Sequence, residues 1–265
     1  MKRKSVFLAE CTWTEVEEQL KTSVRIFVPL GSTEQHGPHA PQGTDTILAT
    51  EVCVRLARRI GGLVAPPVWY GYSIDHRGFP GLTYLSAQTL SAVVTEIAVS
   101  LAEGGFREII FLNGHYTNVV AVNAGVGAAA DRLANGAKAF AITYWDALPE
   151  DQAHEFLSLD VGLHAQVGET SAILAVDESL IDMEKAVAEW PAFPVPELNT
   201  LLPFFFSAPG TMYRATRTGV WGDPRTATAE KGRVFLDQVE ASCADLIASI
   251  EATLEVLPPR HPERS

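Results

Sequence analysis

The sequence predicts an α/β fold, a mostly parallel sheet with helices on both faces, and three observations point to it. Short apolar runs alternate with longer segments of helical spacing between residues 25 and 145. Three of the short runs are continuously apolar, the pattern of strands covered on both faces. Two of the helical segments close on a double glycine, Gly61–Gly62 and Gly104–Gly105, the usual C-terminal stop before a new strand.

Arg25–Leu30 ("RIFVPL") is the first strand, and the segment from Thr44 to Gly62 is the first long helix, with apolar residues at helical spacing. Gly62–Tyr70 reads as the second strand and Ala87–Gly105 as the second helix. Arg107–Asn113 is the third strand. Thr117–Gly136 is a third helix, rich in small residues and therefore closely packed, and Ala137–Trp145 is the fourth strand. After Trp145 the pattern loosens. Gly168–Val176 is a short helix, Pro191–Pro209 an irregular Pro- and Phe-rich segment, and Thr228–Leu254 a long C-terminal helix. Strand and helix in strict alternation imply parallel pairing with crossover helices. No internal repeat or linker breaks the chain, so residues 1–256 are expected to form a single domain and 257–265 a frayed tail.

With 265 residues, 47% of them hydrophobic, the chain can bury about three quarters of its unfolded surface, and disorder is excluded by composition. A net charge of −12 argues against nucleic-acid binding through phosphate neutralisation. Cys11, Cys53 and Cys243 are odd in number and far apart, with no CxxC pair, so a reducing cytoplasm is expected. Glu10 cuts the first apolar run short of a signal peptide, and no run of about 18 apolar residues suits a membrane span.

Polar clusters fall where strands end, the place where open parallel sheets bind ligands. "PLGSTEQHGPHAPQGTD" follows the first strand, "YSIDHRGFPG" the second and "NGHYTN" the third, while "HAQVGETS" leads into a helix. Glu34, His36, Asp45 and His115 form a metal-ligand set, since imidazole and carboxylate suit zinc, manganese or iron and no thiolate is present. That set exceeds the three ligands of one catalytic metal, and two metals sharing a carboxylate would use it all. Asp45, central in the set and with two oxygens, is the choice for the bridge. Each residue also has a plainer reading: His39 as an exposed or capping loop residue, Thr44 or Asp45 as the N-cap of the following helix, His115 as a cap near Tyr116, and His164 as a cap before "GETS". No GxSxG elbow, GxGxxG loop or P-loop supports a nucleophilic or nucleotide-binding alternative.

The stretches "VPLGSTEQHGPHAPQGTDT", "YGYSIDHRGFPGLTYLSAQTL", "FLNGHYTN", "HAQVGETS" and "GVWGDPRTATAEKG", in order from Pro29 to Gly232, resemble the creatininase family of metal-dependent amidohydrolases. The resemblance implies a three-layer α/β/α fold, two divalent ions per subunit (zinc or manganese, with iron also suitable), and assembly as a homohexamer. It implies Glu34, His36, Asp45 and His115 as ligands with Asp45 bridging, Glu169 at or beside the centre, and His164 as the catalytic histidine that handles the leaving-group proton. Its shared chemistry is a metal-bound hydroxide attacking a polarised carbonyl, expected here to be that of a small, cyclic amide or related compound.

Two departures separate this chain from true creatininases. Thr117 stands where they carry a ligating Glu, so Glu169 is expected to supply the fifth ligand, and "LDVGLHA" replaces their creatinine-lining residues ahead of His164. Other branches of the family deformylate an aminopyrimidine, trim a peptide precursor or open a keto-inositol ring at a carbon–carbon bond. A non-catalytic binding protein on the same fold is the alternative of another class. Ser73, Asp75, His76 and Tyr116 are candidate substrate contacts and Trp145 a candidate pocket wall. The apolar segment Trp190–Gly210 is expected to reach another subunit.

Overall fold

The computed structural model describes residues 5–192 and 201–257. Its central sheet has four parallel strands in the order β2–β1–β3–β4, with β1 at Arg25–Leu30, β2 at Leu63–Val64, β3 at Glu108–Asn113 and β4 at Lys138–Thr143. The helices are α1 (Trp13–Leu20), α2 (Thr44–Ile60), α3 (Ala87–Glu103), α4 (Asn118–Ala129), α5 (Glu150–Phe156), α6 (Val167–Val176), α7 (Leu201–Ser207), α8 (Thr211–Ala215) and α9 (Ala229–Val256). A small antiparallel pair joins β5 (Gly162–His164) to β6 (Trp221–Gly222).

The pleat divides the strand side chains between two cores. Phe27, Ile110, Leu112 and Ile142 face one side, where they meet α2, α6 and α9 through Leu48, Val52, Ile173, Phe235 and Val239. Ile26, Val28, Leu30, Ile109 and Phe111 face the other, against Leu90, Val94 and Ala98 of α3 and Ala121 and Val122 of α4. This is the expected three-layer α/β/α arrangement. It explains why β1 and β3 are apolar at successive positions, because each residue faces one core or the other, and each such side chain contributes about 1.5–3 kcal/mol on burial.

Register sets up the site. Leu30 lies opposite Asn113, and Asn113 opposite Thr143, so the carboxyl ends of β1, β3 and β4 lie level. The Gly114 amide then donates to the Leu30 carbonyl at 2.8 Å, which ties the two polar loops together just beyond the sheet.

β1 has the expected limits, and β2 is shorter than expected. After Val64, Pro66 and Pro67 have no N–H to continue the ladder, and pairing returns only as an isolated bridge between Val68 and Leu30. β4 ends at Thr143, so Trp145 lies in a 3₁₀ turn, Tyr144–Ala147, instead of a strand. The third helix stops at Ala129. Part of the segment read as irregular is helical, as α7, while residues 193–200 of that segment and 258–265 of the expected frayed tail lie outside the described residues. The short α5 and α8 and the β5–β6 pair carry too little periodicity to be read from sequence, whereas α1 was missed although Thr12 and Glu15 form a capping box at its start.

Candidate metal centre

Asn113 at the end of β3 grips the next loop. Its side chain accepts from the His115 amide at 3.2 Å and donates to the His115 carbonyl at 2.8 Å, which turns the imidazole inward. Gly114 is required between them, since a Cβ there would stand 2.5 Å from the Asp45 carbonyl oxygen at the start of α2. The close approach brings Asp45 beside His115.

None of the capping alternatives is realised. The N-cap of α2 is Gly43, with no side-chain cap bond, and Thr44 donates to Pro41 instead. The N-cap of α4 is Thr117, and that of α6 is Gln166, whose side chain accepts from the Gly168 and Glu169 amides. Asp45, His115 and His164 therefore point elsewhere, into one buried cluster with Glu34 and His36. His39, read as an exposed or capping loop residue, is in fact buried, with Nε2 3.0 Å from the Thr170 hydroxyl of α6.

Within the cluster Asp45 Oδ1 lies 3.0 Å from His36 Nε2, and Asp45 Oδ2 lies 3.2 Å from His115 Nδ1. His115 Nδ1 is also 3.2 Å from Glu34 Oε1. Backbone and side-chain partners assign the tautomers. His36 Nδ1 sits 3.2 Å from the Glu34 carbonyl, which only accepts, so Nδ1 carries the hydrogen and Nε2 is bare in the neutral ring. Thr117 donates its hydroxyl hydrogen to the Tyr72 carbonyl, so its oxygen accepts from His115 Nε2 at 2.7 Å and Nδ1 is bare. With both rings neutral, each oxygen of Asp45 faces a different imidazole lone pair, an arrangement that either a proton or a cation would relieve. The imidazoles are oriented by hydrogen bonds on their far nitrogens, as metal-ligating histidines are.

The donor atoms form overlapping sets. Glu34, Asp45 and His115 offer ligand atoms within 4.8 Å of one another, and so do His36, Asp45 and Glu169, which makes Asp45 common to both. A third set, Glu34, His36 and His164, meets the same limit. Four of the seven buried side-chain polar atoms without a hydrogen-bond partner among the described residues belong to Glu34, His36 and Asp45. Orphaned buried polar atoms are rare in folded proteins, and here they converge on one point. The donor set is oxygen and nitrogen, suited to zinc or manganese.

Protonation responds to the same geometry. Burial works against charge on His36, but the adjoining Asp45 outweighs it and carries the imidazole up to about 9. His115 is likewise raised, burial being overcome by Glu34 and Asp45, and Asp45 is held below the usual carboxylate range by the two imidazoles despite burial. Burial raises Glu169 and Asp75 to about 7 each. Burial and neighbouring imidazoles lower His76 and His164. Metal-free, the centre collects protons on the nitrogens that would otherwise hold cations.

Above the cluster opens a cavity of about 510 Å³. Asp75, His76, Tyr116, Trp145, His164 and Glu169 line it, as do the carboxylates of Glu34 and Asp45. Ser73 is not among the lining residues. It is fully buried, and its oxygen accepts from Ser32 at 2.8 Å behind the wall. The far wall is apolar, built from Phe156, Leu201, Phe205, Met212, Trp221 and Phe235. Sequence reasoning missed this wall, because its residues come from the loosely patterned second half of the chain. It also missed Gln35, whose only signal was its place between Glu34 and His36. In the described part of Trp190–Gly210, Leu201 and Phe205 meet Met212 and Trp221.

Known proteins resemble this chain over nearly its whole length. The creatinine amidohydrolase family model matches residues 9–247. Creatinine amidohydrolase of Pseudomonas putida is 34% identical over 261 residues, covering 92% of this chain and 96% of that protein. The mycofactocin precursor peptide peptidase of Mycolicibacterium smegmatis is also 34% identical, over 243 residues, covering 88% of this chain and 89% of that one. Among solved structures, a manganese creatininase superposes with a TM-score of 0.80 at 32% identity, covering 97% of this chain and all of that one, and a zinc–zinc form of a creatininase variant gives the same values. The fold, the ordered polar loops at its strand ends and these matches together make the chain a member of the creatininase family of hydrolases.

Proposed function

We propose that this chain is a dinuclear metal-dependent amidohydrolase. Glu34, Asp45 and His115 would hold one cation and His36, Asp45 and Glu169 the second, so that Asp45 would serve both. The observation that carries this reading is the pair of Asp45 contacts, 3.0 Å to His36 and 3.2 Å to His115, on opposite oxygens of one buried carboxylate. Two divalent cations there would supply Lewis acidity at a carbonyl and a nucleophile drawn from water at neutral pH.

The chain's own residues do the rest. His164 Nε2 lies 2.7 Å from the Gln35 carbonyl, which fixes the hydrogen there and leaves Nδ1 bare, 4.0 Å from Glu34 Oε1 at the cavity floor. That lone pair takes a proton from the attacking side and passes it to the leaving nitrogen, a role worth about 10²–10⁴-fold. Asp75, His76 and Tyr116 contact the polar part of the substrate, and Trp145 with the apolar wall holds its body. Ser73 supports this face from behind through Ser32.

Cavity size and lining narrow the substrate. At about 30 Å³ for each water-sized group, 510 Å³ exceeds what a small ring such as creatinine fills. The apolar wall favours an amide with an aliphatic or aromatic substituent. A keto-inositol would find hydroxyl partners on the polar floor but would leave the apolar side of the cavity unfilled. No lining residue among those described is Lys or Arg, so an anionic substrate also lacks a partner. The protein would act in the cytoplasm as a homo-oligomer, with exposed Trp69, Tyr70, Trp190 and Tyr213 as material for subunit contacts. No helix among the described residues is long and apolar enough to cross a membrane.

The test is to strip the protein with a chelator, reload it with zinc or manganese and assay cyclic and N-acyl amides of increasing apolar size. Activity should depend on metal and rise with substituent size, and Asp45→Asn should lose both ions while staying folded. Two equivalents of metal retained by Asp45→Asn would refute the bridging assignment.

A further inference from the structure

We propose that Gln35 is a positioning residue that sets the tautomers of the two imidazoles outside the main ligand set, His76 through its side chain and His164 through its backbone carbonyl. The inference rests on the reading of His164 as the proton carrier, but its evidence is the hydrogen-bond pattern.

Two backbone groups fix the orientation of the buried amide. The Gly37 N–H donates to Gln35 Oε1 at 2.8 Å, and Gln35 Nε2 donates to the Gly219 carbonyl at 3.1 Å. One N–H of the amide remains. Its two neighbours, His76 Nδ1 and His164 Nε2, are each 3.1 Å away. His164 Nε2 already gives its hydrogen to the Gln35 carbonyl at 2.7 Å and so cannot accept. The remaining N–H therefore belongs to His76 Nδ1. The other nitrogen of His76 agrees, since Nε2 lies 3.1 Å from Glu34 Oε1 and 3.4 Å from Asp75 Oδ2, both acceptors.

The consequence is directional. His76 presents an N–H to Glu34 and Asp75, and His164 presents a bare nitrogen towards the cavity. The surrounding chain is shaped to this one side chain. Gly219 has φ +87°, and a Cβ there would fall 1.8 Å from Gln35 Oε1, so only glycine admits the amide. Gly37, with φ +68°, lets the loop turn back to meet it.

The experiment is imidazole ¹H–¹⁵N spectroscopy of the metal-loaded, ¹⁵N-histidine protein, with His76→Asn and His164→Asn used for assignment. Both rings should show the neutral Nε2–H tautomer. In Gln35→Glu the carboxylate can only accept, so His76 should carry hydrogen on Nδ1 while His164, held by an unchanged backbone carbonyl, keeps its tautomer. In Gln35→Met the His76 signal should become a mixture. Turnover should fall about 10–100-fold in both variants, mainly in kcat, with the metal content kept.

A wild-type His76 protonated on Nδ1, or a His76 tautomer unmoved in Gln35→Glu, overturns the proposal. The wild-type spectrum decides even if the variants do not fold. The spectra need no substrate, so absence of amide turnover would count against the hydrolase reading alone.

Discussion

Proton–metal competition offers the sharpest test of the centre, with pH as the perturbation. In the metal-free protein His36 stands at about 9, so at neutral pH a cation must expel its proton. Two pH units below that value, at about 1.36 kcal/mol each, the expulsion costs about 2.7 kcal/mol, or about a hundredfold in affinity. The sign follows directly. Affinity for zinc rises about tenfold per pH unit for each proton displaced and levels off above the His36 value. His115 is raised as well, by Glu34 and Asp45 against burial, so filling the Glu34, Asp45 and His115 position should release a proton of its own.

Competition of the stripped protein against a chromophoric chelator at several pH values measures the slope. Calorimetry in two buffers of different ionisation enthalpy counts the protons. His36→Gln should remove one proton from the count and flatten the slope accordingly. An affinity independent of pH once the chelator's own titration is subtracted, or binding with no proton released, would refute the idea that imidazoles and cations compete for the oxygens of Asp45.

Three further outcomes are expected. Between pH 6.5 and 9 the stripped protein should lose stability as pH rises. His36 is raised above its ordinary 6.5 to about 9, so its contribution of about 3 kcal/mol is fully present below 6.5 and lost as pH passes through 9, and metal reloading should flatten this dependence of Tm. Gly114→Ala should lower stability by about 1–3 kcal/mol and reduce metal content together, since its Cβ meets the Asp45 carbonyl at 2.5 Å; calorimetry and elemental analysis check both. Phe205→Ala, at a position 6% exposed in the cavity wall, should cost about 3–5 kcal/mol on denaturant unfolding and raise KM more for bulky amides than for small ones.

What was legible in the sequence was whatever a local rule could carry. β1 and β3 announced themselves because both faces are buried, and α2 and α3 because glycines end them. The ligand loops were legible because two carboxylates and two imidazoles cannot all be caps of the helices that follow. The failures have equally specific causes. The apolar run after Gly62 looked like a nine-residue strand, but Pro66 and Pro67 interrupt its ladder. Trp145 looked like a strand end, yet the chain turns at Tyr144 and so aims the indole at the cavity. His39 passed for a loop residue because its partner, Thr170, lies 131 positions away. Gln35 could not be singled out by residue type, since its importance lies in three partners distant in sequence, His76, His164 and Gly219.

The fold and the chemistry are linked through charge. Glu34, Asp45 and Asp75 are buried and Glu169 half-buried around one cavity, with no Lys or Arg among its described lining residues to balance them. Buried carboxylates are tolerated only when paired. The sheet register supplies imidazoles from neighbouring strand ends, but neutral imidazoles leave lone pairs facing the same oxygens. The balance therefore comes from outside the chain, as protons or as cations. Under the proposed function, protons would satisfy the fold while silencing the site, and cations would satisfy the fold while arming it. Metal loading should consequently act on stability and activity at the same atoms, and the largest effect of either should appear where His36 gives up its proton to a cation held by Asp45.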